Sequence, residues 1–510
     1  MPSAQPAAAR LTPTLLRIAR TPGWLWLALT ACLLLSLWRI GTLYLHDPLI
    51  ALANSYDEVR YSACFNLYPD RPDSIPPDRN SPAAPFSQYK FVSAPDPICY
   101  WSTELLFQGA AAAVYRADEA ASGAKAHSVH WIGAFKILAL LALWFGFTVA
   151  WLRRREPWSA LANGLLLPVL FADPANTVYL NTFYAEWTAL LALYAVAGLI
   201  LIHEGKPARG HAFALLALAA AALAISKIQH IVLPLGIAAA MLLIGRWRDR
   251  VWLWKGQALL LGALAGIVVQ VVQLQRDSDA IRAINVFNQA DVVFTALLPN
   301  SRDPAATAQA LGLSPQCLQY SGKKAWQMPG FPADLCPELT KVSRSRELLT
   351  LLREPDMTLR IGWAGLANLH PWVAPGLGLV EGGNFTPLPA QFASLSGAFA
   401  DQPLLRAVLF GAPFVALVLL LWRHRWRAWP RLLTVTVLTI VVTLGTLTVT
   451  VLGDGLADVP KQGHLVYNAA FTWWIGALVV GGRSLFPATR RRRTAGEQVA
   501  KAKAAPAKKP

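Results

Sequence analysis

Long apolar segments, separated by short polar or basic stretches, make up most of the chain. Ten can be recognised, at about residues 24–44, 131–152, 157–172, 186–206, 211–226, 231–245, 253–273, 404–422, 432–452 and 465–482. A helix needs about 20 apolar residues to cross a bilayer, so the pattern predicts an all-α, polytopic membrane protein with about ten transmembrane helices. The third, fifth and sixth segments are short for a crossing, which leaves the number of spans open by about two.

Clusters of basic residues follow every second apolar segment. Arg153, Arg154 and Arg155 follow the second segment, and similar clusters follow the fourth, sixth, eighth and tenth. Lys and Arg in short loops are retained on the cytoplasmic side of the membrane. The alternation therefore places both termini in the cytoplasm and two long loops, residues 46–130 and 274–403, on the outer side.

Hydropathy divides the chain into five regions. A cytoplasmic tail (1–20) precedes an N-terminal membrane region of about seven spans (21–273), which contains the first outer loop. The second outer loop (274–403) mixes apolar and basic residues, so we expect short helices there that lie along the membrane face. A C-terminal membrane region of about three spans (404–484) and a basic, disordered cytoplasmic tail (485–510) complete the chain.

Composition supports the membrane class. Apolar residues make up 55% of the chain and charged residues 15%, a balance that excludes an ordinary soluble protein. The net charge of +17 could indicate nucleic-acid binding, but Lys and Arg are clustered between apolar segments. We therefore expect membrane lipid, and no nucleic acid, among the partners.

The cysteines are distributed unevenly. Cys64 and Cys99 lie in the first outer loop, Cys317 and Cys336 in the second, and Cys32 lies inside the first apolar segment. One pair in each predicted outer loop is typical of disulfides in an oxidising compartment. We predict the bridges Cys64–Cys99 and Cys317–Cys336.

A dense group of charges follows the first apolar segment, in the sequence Asn54-Ser-Tyr-Asp-Glu-Val-Arg-Tyr61. It could be a solvated loop that begins where the membrane ends, or part of a catalytic site. Asp57 and Glu58 are our candidate catalytic residues, and Arg60 and Tyr61 are candidates for substrate binding.

Other ionisable residues lie at the predicted outer ends of later segments. An ionisable group at a membrane boundary is costly unless it is solvated, paired or used in function. Helix-end acids and snorkelling lysines also occur for purely structural reasons. The additional candidates for substrate or phosphate binding are Asp173, Glu186, Lys227, His230, Asp454, Lys461 and His464.

Sugar transfer from a polyprenyl-phosphate donor would use these groups. A carboxylate must take the proton of the acceptor hydroxyl, and Asp57 or Glu58 would do so. Cationic side chains, or a divalent cation held by carboxylates, must stabilise the departing phosphate. The donor's lipid tail lies in the bilayer, so the site must lie at the membrane surface. The sequence identifies no certain cofactor and leaves the divalent cation open.

The layout resembles the GT-C superfamily of integral-membrane glycosyltransferases. An acidic motif, Asp57-Glu58, begins a long first outer loop, and many spans and a second large loop follow. Bacterial hexosyltransferase-like membrane proteins are similar in three short motifs, matched here by Asn54-x-x-Asp57-x-x-Arg60-Tyr61, Phe183-Tyr184-Ala185-Glu186 and Gly453-Asp454-Gly455. The resemblance implies Asp57 as the first candidate base, with Asp173 as its partner in a later outer loop. It also implies a multi-pass protein of the bacterial inner (plasma) membrane, with a role in glycan or cell-envelope assembly.

Three other functions stay open at this point. A polysaccharide ligase or polymerase would use the same lipid carriers, and a transporter or flippase would move lipid-linked glycans without chemistry. Outer loops of this size are large for a carrier, and most charges lie at the ends of segments rather than inside them. A structural or assembly protein would tolerate loss of Asp57.

Overall fold

The computed structural model describes residues 21–53, 58–70, 84–93, 99–207, 209–247, 250–276, 278–369, 378–383, 386–422 and 429–485. In the first half of this range the α-helices are α1 (Gly23–Tyr44), α2 (Val59–Ser62), α3 (Leu105–Ser122), α4 (His130–Arg153), α5 (Pro157–Leu166), α6 (Pro174–Thr177), α7 (Glu186–Ile202), α8 (Gly210–Ser226), α9 (Val232–Trp247) and α10 (Leu253–Arg276).

The second half contains α11 (Ser278–Asp291), α12 (Leu298–Asn300), α13 (Pro304–Leu311), α14 (Pro332–Leu335), α15 (Arg344–Arg353), α16 (Pro355–Ala367), α17 (Leu395–Ala400), α18 (Pro403–Leu421), α19 (Pro430–Asp454), α20 (Val459–Gln462) and α21 (His464–Leu485). Wider π-helical turns cover Leu167–Phe171 and Val292–Leu297. Tighter 3₁₀ turns cover Ala63–Phe65, Ile228–Ile231, Arg250–Trp252, Pro315–Tyr320, Ala325–Gln327, Pro337–Lys341 and Ala390–Phe392.

Proline sets the starts of several membrane helices. Pro157, Pro403 and Pro430 each occupy the first turn of a helix. Proline has no N–H to leave unpaired there and its φ angle already suits the helix. Pro168 instead interrupts the end of α5, and the chain continues as the π-helical turn.

Membrane-spanning helices are present, and the chain is a multi-pass membrane protein. Among the described residues, six helices are long and apolar enough to cross a bilayer: Gly23–Tyr44, His130–Arg153, Ile228–Arg246, Arg250–Arg276, Pro403–Leu421 and Pro430–Asp454. Three shorter apolar helices, Pro157–Phe171, Glu186–Ile202 and Gly210–Ser226, cover the predicted third, fourth and fifth spans. Helix α21 covers the predicted tenth span but is not one of the six, and it carries His464, Asn468 and Thr472 among its apolar residues. The total of ten spans, and the side of the membrane on which each loop lies, stay predictions.

The expectation of an all-α fold was wrong in one detail. Three short antiparallel strands, β1 (Leu67–Pro69), β2 (Gln88–Phe91) and β3 (His127–Ser128), form a sheet in the order β1-β2-β3. Tyr68 pairs with Lys90 in the first register, and Tyr89 pairs with His127 in the second. The sheet packs with α3 into a small apolar core that also includes Ile132 of α4 and Phe183.

Both predicted disulfides are confirmed. Cys64 is bonded to Cys99, and Cys317 is bonded to Cys336. The second bridge lies in a separate core formed by residues of the second long loop, which we call the outer unit (residues 278–369). Cys32 is a free, buried thiol in α1, as predicted.

The ends of several helices meet at one end of the bundle, which we call the loop end. There the Tyr44 hydroxyl of α1 donates to the His130 carbonyl at the start of α4, over 2.6 Å. Lys227, just after α8, pairs with Glu186 at the start of α7. At the opposite end Arg431 of α19 pairs with Glu156 before α5, over 2.9 Å.

Small residues allow α8 and α10 to pack closely. Gly262 and Gly266 of α10 lie against α8, and a Cβ added at Gly262 would lie 2.4 Å from the Ala217 carbonyl oxygen. A Cβ at Gly266 would lie 2.4 Å from the Cβ of Ala224. Such small-xxx-small faces let membrane helices approach each other's backbone.

Gly262→Ala should therefore lower the thermal stability of the purified protein, by about 1–3 kcal/mol in free energy of unfolding, because the added methyl meets backbone. Gly411→Ala in α18 is the matched control, since nothing lies within 4 Å of a Cβ there. Equal melting temperatures for the two variants in the same detergent would contradict this packing.

Candidate functional site

The segment Val178–Ala185 connects α6 to α7 and positions the charged residues at the loop end. Its backbone is held by side chains from distant parts of the chain. Lys136 of α4 donates to the carbonyls of Tyr179 (3.1 Å) and Thr182 (2.8 Å). Gln108 of α3 donates to the Phe183 carbonyl over 3.1 Å. The segment is therefore built on side chains rather than on regular secondary structure.

The ammonium of Lys136 is itself buried and paired. Its third contact is a salt bridge of 2.8 Å to Glu104, and neither side chain is exposed to solvent. The other carboxylate oxygen of Glu104 accepts from the Thr188 hydroxyl. Burial raises the pKa of Glu104 to about 7, and the nearby Lys136 opposes this shift. Three acceptors thus satisfy the three N–H groups of the lysine.

Glu58, a predicted catalytic carboxylate, supports the same segment. Its Oε1 accepts from the Phe183 backbone N–H (2.9 Å) and from the Tyr89 hydroxyl (3.3 Å). The side chain is buried, and this burial raises its pKa to about 7 although both hydrogen bonds and Lys136 favour the ionised form. These contacts give Glu58 a positioning role, and its catalytic role is not favoured by them.

The rest of the predicted first-loop group packs into its own loop. The Arg60 guanidinium lies 5.6 Å from the centre of the Tyr100 ring, and the buried Tyr61 makes an edge contact with the same ring. The Cys64–Cys99 bridge ties this packing together. Asp57 lies outside the described residues, so its predicted role as the base stays a prediction.

A second group of charges converges on Glu186. Its Oε1 is paired with the ammonium of Lys227, and Lys461 and His464 also interact with it electrostatically. Nε2 of the His464 ring lies 3.1 Å from the carbonyl oxygen of Glu186. Nδ1 of the same ring lies 3.2 Å from the carbonyl oxygen of Lys461. Four of the predicted residues, from α7, the end of α8, α20 and α21, therefore meet in one place. We call Glu186, Lys227, Lys461 and His464 the charge cluster.

Asp458 lies next to the charge cluster and contacts one of its lysines. Asp458 precedes α20 and makes no side-chain capping bond to it, and its carboxylate pairs with Lys461 over 2.8 Å. The Lys461 ammonium also lies 5.4 Å from the centre of the Tyr184 ring. Two carboxylates and two ammonium groups therefore balance each other in a largely buried environment.

Two buried polar atoms beside the cluster have no hydrogen-bond partner within the part of the chain that the structure describes. They are Oε2 of Glu186 and the hydroxyl of Tyr179, each on a residue that is 1% exposed. The Tyr179 ring lies 5.9 Å from that of His464. Buried polar atoms are nearly always hydrogen-bonded, so these two are the atoms best placed to contact a bound molecule.

Three other predicted residues are hydrogen-bonded to groups outside the charge cluster, and one of them, His230, also interacts electrostatically with Lys227 and His464. Asp173 caps α6 and accepts from the backbone N–H groups of Leu395 (2.9 Å) and Ser396 (3.2 Å), so it fastens the segment before α17. The buried His230 ring is bonded to the Ser226 hydroxyl over 2.8 Å. Asp454 accepts from Gln462 over 2.5 Å. The structure gives Asp173 and His230 structural partners, and their binding role stays a prediction.

An apolar cavity of about 180 Å³ lies between α5, α7, α19 and α21. Its lining on α19 extends from Arg431 to Val442, about 16 Å along the helix axis at 1.5 Å per residue. Leu170 and Asn468 line this cavity and also a smaller one next to it, and His464 lines the smaller cavity. The apolar space therefore leads from within the bundle to the neighbourhood of the charge cluster.

Sequence reasoning missed Lys136, Glu104, Asp458 and Tyr179 as site-building residues. A lysine inside an apolar segment was the available signal for Lys136, because such residues are costly unless they are paired. Glu104 carried no comparable signal. Among the described residues, the group of possible metal ligands is Cys317, Cys336 and Glu338, and its two cysteines form a disulfide. The described residues therefore do not place the divalent cation that the sequence left open.

Lys136→Met should strongly destabilise the protein, by about 3–5 kcal/mol, because Glu104 is left buried without its partner. The exposed Lys125 provides the matched control Lys125→Met, which should melt like the unchanged protein. The double variant Lys136→Met/Glu104→Gln should recover part of the loss. An unchanged melting temperature for Lys136→Met would contradict the anchoring role.

The raised pKa of Glu58 predicts that the stability of the protein depends on pH. Between its ordinary pKa of 4.5 and about 7, the folded protein keeps a proton that the unfolded chain has lost. The contribution of this carboxyl to the free energy of unfolding therefore falls as pH rises through that window. Glu58→Gln keeps an oxygen that can accept from Phe183 and carries no charge, so the variant should lose less stability across the window. Melting temperatures of the unchanged protein and of Glu58→Gln, measured between pH 4.5 and 7, test this prediction. If the melting temperatures of both proteins change equally with pH, the prediction is wrong.

Comparison with known proteins gives one match. Residues 86–334 are similar to the family model described as the YfdI N-terminal transmembrane domain. No curated protein and no solved structure matches the chain. The matched part contains Glu104, Lys136, Glu186 and Lys227 but ends before Lys461 and His464. The match suggests a membrane glycosyltransferase-like family and fits a membrane-embedded protein related to the cell envelope.

Proposed function

We propose that the protein is a membrane glycosyltransferase of the GT-C type. It moves a sugar from a polyprenyl-phosphate donor to an acceptor at the outer face of the bacterial plasma membrane, in glycan or cell-envelope assembly. The observation that carries the proposal is the buried Oε2 of Glu186, which has no hydrogen-bond partner among the described residues and lies beside two lysines.

The charge cluster supplies the groups that the reaction needs. Oε2 of Glu186 takes the proton of the acceptor hydroxyl while the hydroxyl oxygen attacks the anomeric carbon of the sugar. The bond between the anomeric carbon and the phosphate oxygen breaks, and its electron pair leaves with the phosphate. Lys227 and Lys461 stabilise the charge on that leaving group, in surroundings where little water weakens the interaction.

The apolar cavity supports the choice of a lipid-linked donor. It is lined mainly by leucine, valine and alanine from four membrane helices, and it approaches the charge cluster at Asn468. Ligand sites of this kind combine an apolar wall with a few polar groups at one end. A polyprenyl tail would enter the cavity while its phosphate contacts the lysines.

Asp57 is the rival base in this proposal. The resemblance to GT-C enzymes favours it, whereas the geometry of the described residues favours Glu186. In either case Glu58 positions the segment that directly precedes Glu186.

A transfer assay in reconstituted membranes, with a panel of polyprenyl-phosphate sugars, tests the proposal. Glu186→Gln should lower the transfer rate by about 100-fold or more, as expected for loss of a general base. Glu58→Gln is the matched control, because this buried carboxylate already has hydrogen-bond partners, and it should stay active. The same loss in Asp57→Asn but not in Glu186→Gln would assign the base to Asp57.

Full activity in both Glu186→Gln and Asp57→Asn would overturn the site. If intact lipid-linked glycan crosses the membrane and no glycosidic bond is formed with any acceptor, the protein is a flippase and the enzymatic proposal is wrong. Extension of a preformed glycan chain by the unchanged protein would instead identify a polymerase or ligase that uses the same cluster.

A further inference from the structure

Helix α16 presents two apolar stripes, and the described residues cover one of them. Met357 and Ile361 are buried in the core of the outer unit, and Gly365, four residues further on, is buried against α19. Leu359 and Trp363, also four apart, are 75% and 70% exposed. A helix that is apolar on both sides requires a second apolar surrounding.

The preceding helix continues the uncovered surface. In α15, Glu347, Thr350 and Leu351 are buried, whereas Leu348, Leu349 and Leu352 are 53%, 50% and 65% exposed. Together with Leu359 and Trp363 of α16, these three leucines form what we call the outer-unit patch. Large apolar side chains exposed together on neighbouring helices are rare on protein that faces water, and they indicate a binding surface.

Direct contacts place both helices at the ends of membrane-spanning helices. The Arg344 guanidinium at the start of α15 donates to the Leu452 carbonyl near the end of α19, over 2.8 Å. The Ala367 carbonyl at the end of α16 accepts from Arg406 in the first turn of α18, over 2.9 Å. A Cβ built on Gly365 would meet Val451 of α19 at 3.4 Å. The pair α15–α16 therefore lies against the loop ends of two candidate spans.

The apolar surfaces of those spans are exposed as well. Leu404 in the first turn of α18 is 76% exposed, and Leu444 of α19 is 52% exposed. Both helices are long and apolar enough to cross a bilayer, so these side chains contact lipid. The α15–α16 pair that carries the outer-unit patch is thus bonded to two candidate spans whose own apolar side chains are exposed.

We propose that the outer-unit patch inserts into the membrane interface at the loop end of the bundle. Leu348, Leu349, Leu352 and Leu359 contact the upper part of the acyl chains, and Trp363 lies at the level of the headgroups, where tryptophan is enriched. The outer unit is thereby held against the bilayer and cannot swing away from the ends of α18 and α19. This docking does not depend on the proposed sugar transfer.

Site-directed spin labelling of the full chain in lipid nanodiscs tests the proposal. A nitroxide is attached at Leu359→Cys or Trp363→Cys in a Cys32→Ala background, since the other four cysteines are disulfide-bonded. Gln309→Cys on α13 is the matched control, because it is an exposed polar position of the same outer unit. Two labelled positions keep the test valid if one variant fails to fold.

Labels at 359 and 363 should be more accessible to oxygen, which concentrates in the bilayer, than to a water-soluble nickel chelate. The label at 309 should show the reverse order. A nickel accessibility at 359 and 363 as high as that at 309 would overturn the proposal by showing that the patch faces water. Low accessibility to both reagents would also overturn it, because it would show that protein rather than lipid covers the patch.

Discussion

The buried ion pair between Lys136 and Glu104 is the interaction on which the loop end of the bundle depends. Both side chains are withdrawn from water, and each is bonded to the other and to nearby hydrogen-bonding groups. The pair fixes Val178–Ala185, a segment that has no helix or strand of its own. Glu186 follows directly, so the geometry of the charge cluster is set by contacts that lie outside it.

Three buried glutamates have different roles because their partners differ. The Oε1 of Glu58 is occupied by a backbone N–H and a tyrosine hydroxyl, and Glu104 is paired with a lysine and a threonine. Glu186 combines an oxygen that is paired with Lys227 and a second oxygen that has neither an ion-pair nor a hydrogen-bond partner among the described residues. The same residue type thus holds the fold in two positions and faces a possible ligand in the third.

Local patterns in the sequence were sufficient for the membrane helices and the disulfides. The length of an apolar segment identifies a span. Because each long loop has two cysteines, the simplest pairing joins the two within each loop. The strands β1, β2 and β3 were missed because each is short and its partners are far away in the chain. The Lys136–Glu104 pair could not be predicted for the same reason, since nothing near Glu104 indicates which lysine it meets. The Gly453-Asp454-Gly455 motif also has a structural component: Gly455 has a φ of +60°, and a Cβ there would lie 2.2 Å from the Asp291 carbonyl oxygen. Only glycine allows α19 and the outer unit to approach so closely.

If the charge cluster receives the phosphate of a lipid carrier, the two lysines must contribute to binding of that carrier. Native mass spectrometry of the purified protein with a polyprenyl phosphate compares the unchanged chain with Lys227→Met, Lys461→Met and the control Glu58→Gln. Either lysine substitution should weaken binding of the polyprenyl phosphate, whereas Glu58→Gln should bind it normally. Equal binding by all four proteins would show that the charge cluster does not hold the phosphate.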